Sequence, residues 1–136
     1  MRDNFNKWKK PEILEGKLTK WNWMVQGVEG LVLGEYTDIG AFTYINASYG
    51  VEINDYVQIG GGVKIYSLDT IDDIHGKVIL QKNCKIGANS VILPNVTIGE
   101  NSIVGACSVV RYGTIIPSNE IWLGCPAKYY KDVKHI

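Results

Sequence analysis

The chain has 136 residues, of which 46% are hydrophobic and 21% charged, enough for one domain with a modest core and ordinary for a globular protein. Its 14 Lys and Arg balance 14 Asp and Glu, so the basic excess of a nucleic-acid binder is missing and little self-repulsion opposes assembly. No window has the apolar length of a membrane span, and the polar start MRDNFNKWKKPE lacks the apolar run of a secretory signal, so the expected compartment is the cytoplasm.

Residues 1–30 mix Trp8, Trp21, Trp23 and Met24 with Lys7, Lys9, Lys10, Lys17 and Lys20. Aromatic and basic residues together suit a single-stranded nucleic-acid platform, but the better reading is a cap whose large side chains cover the end of a repeat stack. The repeats begin at Leu33, with LGEYTD, IGAFTY and INASYGVE. A step of eight leads to INDYVQ and IGGGVK, and the loop YSLDTIDDIHGKVI follows Ile65. From Leu80 the period of six is unbroken through Ile86, Ile92, Ile98, Val104, Val110 and Ile116. A helix would scatter such a period and a flat strand would alternate every two, so short straight segments joined by similar turns are expected. The residue four after each aliphatic is compact or β-branched (Thr37, Thr43, Val57, Val63, Cys84, Ser90, Val96, Ser102, Ser108, Thr114), which suits a narrow interior and extended backbone. Gly34, Gly40, Gly60, Gly87, Gly99 and Gly105 follow the aliphatic directly and are expected to serve left-handed turn conformations. Cys84, Cys107 and Cys125 have no metal-ligand spacing and read as reduced, mostly buried thiols.

The tandem [LIV]-[GN]-x-x-[small]-x motif, ending in GCPAK, resembles the hexapeptide-repeat acyltransferases over about residues 31–130. The resemblance implies an all-β fold, a left-handed parallel β-helix forming a triangular prism with three hexads per coil. The single domain then divides into a cap (1–30), a β-helix (31–117) with an extruded loop at 67–77, and a C-terminal segment (118–136). The coils would carry Leu33, Ile39 and Ile45; Ile53, Ile59 and Ile65; Leu80, Ile86 and Ile92; and Ile98, Val104 and Val110, with Ile116 opening a partial last coil. Both insertions, after Ile45 and after Ile65, fall at the same corner, where a wall beside a flat face would make a cleft.

By the same resemblance the protein is an acetyl-CoA-dependent transferase acting on a hydroxyl or amino group of a sugar or nucleotide-linked sugar. Sugar acetyltransferases of the family carry a histidine in the loop after a repeat, and removing a proton from an attacking alcohol suits a group titrating near neutrality. His75 is therefore the candidate base, with Asp72 or Asp73 to orient its ring; His135 lies in the tail. The stretch Ser67-Leu68-Asp69 has leucine where many relatives have histidine. Either the base has moved to His75, or an amine acceptor needs none and Asp69, Asp72 and Asp73 bind it or take its proton. Coenzyme A in the family lies along the prism between subunits of a homotrimer, which makes Ala88 and Ala106 close-approach positions and Arg111 and Lys128 phosphate contacts. Direct attack in a ternary complex is expected, because no cysteine lies near the loop with a base beside it. No metal is expected: a carbonic-anhydrase-type lyase on this prism needs three histidine ligands and the chain has two. A non-catalytic scaffold or ice-binding solenoid would want a flat threonine-rich face and has no use for the loop.

Overall fold

The computed structural model describes residues 7–134. Each hexad gives a strand of two or three residues and a turn, and three hexads close one coil. Met24–Gln26 (β1) opens the stack; Leu31–Leu33 (β2), Asp38–Ile39 (β3) and Tyr44–Asn46 (β4) make the next coil. Val51–Ile53 (β5), Gln58–Ile59 (β6) and Lys64–Tyr66 (β7) make another. A hairpin of Leu68–Asp69 (β8) and Ile74–His75 (β9) then leaves the stack. Val78–Leu80 (β10), Lys85–Ile86 (β11) and Val91–Ile92 (β12) resume it, followed by Thr97–Ile98 (β13), Ile103–Val104 (β14) and Val109–Val110 (β15). Ile115–Ile116 (β16) and Glu120–Gly124 (β17) begin a last coil, and Ala127–Asp132 (β18) folds back antiparallel on β17.

Three sheets form the walls. Sheet A stacks β1, β4, β7, β12 and β15; sheet B stacks β2, β5, β10, β13 and β16; sheet C stacks β3, β6, β11, β14, β17 and β18. The coil assignment read from the period matches the pairing residue for residue. Leu33, Ile53, Leu80, Ile98 and Ile116 form one column. Ile39, Ile59, Ile86, Val104 and Trp122 form the second. Val25, Ile45, Ile65, Ile92 and Val110 form the third. Most of these side chains are fully buried, and each such Ile or Leu stabilises the fold by roughly 1.5–3 kcal/mol. The segment read as a cap does more than cover, because β1 within it pairs in parallel with β4 and starts the stack one strand early.

The compact residues four after each aliphatic fill the corners of the triangle from inside. Their hydroxyls also tie one coil to the next: Thr43 Oγ1 donates to the Gly60 carbonyl (3.1 Å) and Ser90 Oγ to the Gly105 carbonyl (2.9 Å). The glycines have a different cause from the one expected. Left-handed backbone falls three residues after the aliphatic, at Tyr36, Phe42, Tyr56, Asn83, Asn89, Asn95, Asn101 and Cys107. Gly40 and Gly87 are needed because a Cβ there would lie 2.4 Å from the amide nitrogen of Gly61 or Ala106 in the next coil, closer than real atoms approach. Among the cysteines only Cys84 is buried. Cys107 occupies one of the left-handed turn positions and Cys125 the β17–β18 turn, which leaves both exposed.

Candidate functional site

Sheet A ends and sheet B begins at one corner of the triangle, and four connections stack there. They are Asn46–Gly50, the loop from Tyr66 to Lys77, the turn through Pro94 and Asn95, and the turn through Arg111 and Gly113. The two insertions meet physically at this corner. Tyr49, from the first, stacks on the ring of His75, from the second, with centroids 4.2 Å apart and planes 24° from parallel. Both rings remain exposed to solvent.

Polar groups beneath the rings fix the two loops. Ser67 is fully buried, and its Oγ accepts the amide of Tyr49 (3.0 Å). The Asn46 side chain accepts from the Ser48 amide (3.1 Å), which turns the first loop. The Gly76 amide donates to the Ser67 carbonyl (2.8 Å), closing the hairpin at its base. Asn95, one coil further on, donates from Nδ2 to the His75 carbonyl (3.1 Å). Lys77 and Glu52 pair at 3.3 Å beside the hairpin. Hydrogen bonding from Asn54, and then from Lys77, holds the Glu52 carboxyl below its ordinary value.

The loop's carboxylates lie apart, Asp69 on the hairpin's first strand and Asp72 and Asp73 at its tip. Leu68 lies opposite His75 and Asp69 opposite Ile74. Cross-strand partners share a face and successive residues alternate, so Asp69 and His75 project to opposite sides. Asp69 Oδ1 instead accepts the Ile71 amide (2.9 Å), a turn-forming contact. Asp69 also adds its charge to burial, and to the influence of Tyr44, in raising the Tyr66 phenol above its ordinary value. Asp72 and Asp73 are exposed at the loop tip, with Asp73 in a left-handed conformation (φ 54°). The contact placed on the His75 ring is therefore Tyr49. The pairing signals that reveal Tyr49 and Asn95 are contacts between coils, invisible in a one-dimensional spacing; the exposed tyrosine beside an irregular step was the only local hint.

The donor-site candidates do not gather at this corner together. Ala88 and Ala106 lie at the other end of sheet A, where sheet C passes into it, and both are exposed on closely stacked backbone. Lys128, opposite Leu123 in the β17–β18 hairpin, continues that column, since Leu123 Cβ would lie 2.9 Å from a Cβ on Gly105. Arg111 belongs instead to the His75 corner, two coils along, with its guanidinium over the ring of Tyr112 (5.1 Å). Within one chain the breadth of sheet A separates His75 from Ala88, Ala106 and Lys128. His135 falls outside the described residues. Among the described residues no group of three or more His, Cys, Asp and Glu is placed to hold a metal ion, and no helix is long and apolar enough to cross a membrane.

Burial pushes the Cys84 thiol up to about 12, so it stays protonated and sealed in the core. Cys107 and Cys125 flank the Ala106 column rather than the histidine.

The bacterial transferase hexapeptide (six repeats) family model matches residues 77–112. The chain is 30% identical over 116 residues to the carnitine operon protein CaiE of Proteus sp., covering 76% of this chain and 59% of that protein. It is 31% identical over 101 residues to the dTDP-4-amino-4,6-dideoxy-D-glucose acyltransferase of Escherichia coli, covering 62% of this chain and 53% of the enzyme. The chain thus spans little more than half the length of these relatives. Among solved structures, a mutant of AntD, an N-acyltransferase from Bacillus cereus in complex with dTDP and coenzyme A, superposes with a TM-score of 0.73 at 29% identity, covering 82% of this chain and 68% of that one.

Proposed function

Because the chain belongs to the hexapeptide-repeat transferase family, we propose that it is a cytoplasmic acyltransferase that moves an acetyl group from acetyl-CoA to a hydroxyl or amino group of a sugar or nucleotide-linked sugar. The observation that carries this reading is the Tyr49–His75 stack, which holds an exposed imidazole at the one corner where the repeat is interrupted twice. Similarity to a dTDP-amino-sugar acyltransferase and to an N-acyltransferase bound to dTDP and coenzyme A supports the chemistry and the acceptor class.

In this reading the acceptor hydroxyl or neutral amine attacks the thioester carbonyl carbon directly. His75 takes the proton from the attacking atom, the carbon–sulfur bond breaks, and the CoA thiolate leaves. A covalent acyl-cysteine route is disfavoured, since Cys84 is a buried, protonated thiol and the exposed Cys107 and Cys125 lie on the Ala106 side of sheet A, away from the candidate base His75. Ala88 and Ala106 let the donor's pantetheine arm approach the backbone, and Lys128 meets its phosphates. Those residues and His75 lie at opposite ends of sheet A, so a working site takes its donor wall from one subunit and its base from a neighbour, in a homotrimer. Ile71, 90% exposed at the loop tip, is then covered by the adjoining subunit. Arg111, at the His75 corner, would serve a phosphate on the histidine side, either of the donor or of a nucleotide-linked acceptor.

Thiol release from acetyl-CoA against a panel of sugars and amino sugars tests the proposal. Removing a general base lowers the rate by roughly 10²–10⁴-fold, and that loss is expected for His75→Ala. A panel in which no acceptor accelerates release ends the enzyme reading. Full rate in His75→Ala on an active acceptor transfers the role to Asp69, Asp72 and Asp73. A light-scattering mass equal to one chain rules out the shared site.

A further inference from the structure

We infer that the first-coil end of sheet C holds a binding pocket for a nucleoside phosphate, away from the His75 corner. The fold creates this pocket by an imbalance among its walls. Sheet A continues upward from β4 to β1, but sheet C stops at β3. Among the described residues no strand covers β3, and aromatic side chains occupy that layer instead. Trp8 Nε1 donates to the Thr37 carbonyl at 2.9 Å, and Trp23 is 3% exposed against the core. Between them and Trp21 remains a cavity of about 290 Å³, open to solvent and lined also by Lys7, Lys9 and Lys20.

The lining dictates the ligand class. Three of the chain's four tryptophans stand around this one cavity, and Trp21 is 43% exposed, which offers an indole face for a planar ring to stack on. Lys20 Nζ lies 5.6 Å from the centre of that ring. Among the described residues Lys7, Lys9 and Lys20 have no acidic partner, so the pocket concentrates positive charge in a chain whose formal net charge is zero. Asp38 also lines the cavity and already has an interaction of its own. A planar ring joined to an anionic group satisfies indoles and ammonium groups together. The volume suits a single nucleotide, at the lower end of small-molecule sites. A continuous nucleic-acid strand needs an extended basic groove, and the balanced overall charge argues against one.

The tryptophans supply their own readout. Adenosine diphosphate added to the full-length protein should quench tryptophan emission saturably, whereas adenosine alone and inorganic phosphate alone should bind at least about tenfold more weakly. Base stacking contributes about 1–3 kcal/mol, so Trp21→Ala should weaken ADP binding, measured by calorimetry, by about 5- to 150-fold, and Lys20→Ala and Lys9→Ala should each weaken it measurably. All three side chains are exposed or solvent-facing and outside the core, so these variants keep the fold, which circular dichroism checks. Acetyl transfer should remain at the wild-type rate in Trp21→Ala, which separates this pocket from any nucleotide bound with the donor or acceptor. Absence of saturable quenching overturns the inference, as does unchanged ADP affinity in both Trp21→Ala and Lys20→Ala. Tighter binding of an oligothymidylate than of ADP also overturns it, in favour of strand binding.

Discussion

Gly76 offers a close test of how the histidine loop is held. A Cβ at this position would lie 1.9 Å from Asn95 Oδ1 and 2.2 Å from its Cγ, so Gly76→Ala must expel the Asn95 side chain. Expulsion breaks the 3.1 Å bond from Asn95 Nδ2 to the His75 carbonyl, a net loss of about 0.5–1.5 kcal/mol. An off-rotamer side chain adds about 0.5–1.5 kcal/mol, giving a clash cost of about 1–3 kcal/mol. Opposing it, replacing Gly by Ala where no left-handed backbone is required stabilises by about 0.4–1 kcal/mol through the unfolded chain. The decisive background is Asn95→Gly, because Asn95 has φ 63° and glycine keeps that conformation without strain. With Asn95 gone, Gly76→Ala should turn from destabilising or neutral to stabilising. Urea unfolding of the four proteins closes the cycle, and a coupling of about 1–3 kcal/mol is expected. Additivity within about 0.3–0.5 kcal/mol would refute the claim that Asn95 fills the space a Gly76 side chain needs.

Other expectations follow from single contacts. Tyr49→Ala should lower kcat on an active acceptor and leave the KM for acetyl-CoA unchanged, while Tyr49→Phe, which keeps a ring over His75 (4.2 Å), should retain the rate; equal rates in both variants would remove Tyr49 from any positioning role. Ser90→Ala leaves the Gly105 carbonyl and the Ser108 amide without the Oγ that bonds both, and thermal unfolding should register a loss of about 1–3 kcal/mol. Native protein treated with iodoacetamide at pH 8 should be alkylated at Cys107 and Cys125 and spared at Cys84, whose thiol is raised to about 12 by burial; peptide mass mapping reads the result. The amides of Val28 and Gly27 hold the Glu15 carboxyl below its ordinary value of 4.5. A depressed carboxylate contributes stability that is present above the unfolded value and lost as pH falls through the folded one. Stability should therefore drop below about pH 4.5, with a shallower fall in Glu15→Gln by urea unfolding at stepped pH.

The columns of aliphatics were legible in the sequence because burial in this fold follows chain spacing alone. Leu80, Ile98 and Ile116 need only their own positions to reveal that they stack. The role of the glycines was not legible in the same way. Gly87 is excluded from having a side chain by Ala106, nineteen positions along, and only the finished stack brings the two together. The corner carrying His75 could be located from the interruptions, yet its partner could not, since Tyr49 reaches it from the preceding coil. Nor does chain order show that the alternation of a two-residue strand sends Asp69 the other way from His75. The start of the stack was obscured for another reason: β1 lies among tryptophans and lysines that break the hexad pattern, so Val25 carries no visible repeat.

Because the extruded hairpin leaves and re-enters the stack at one corner, Ile65 and Leu80 keep their ladder partners whatever lies between them. Length and composition can change there while every coil contact stays in register. Over evolutionary time such a chain can lengthen or trim this one loop, with mutational tolerance at the corner decoupled from tolerance for folding.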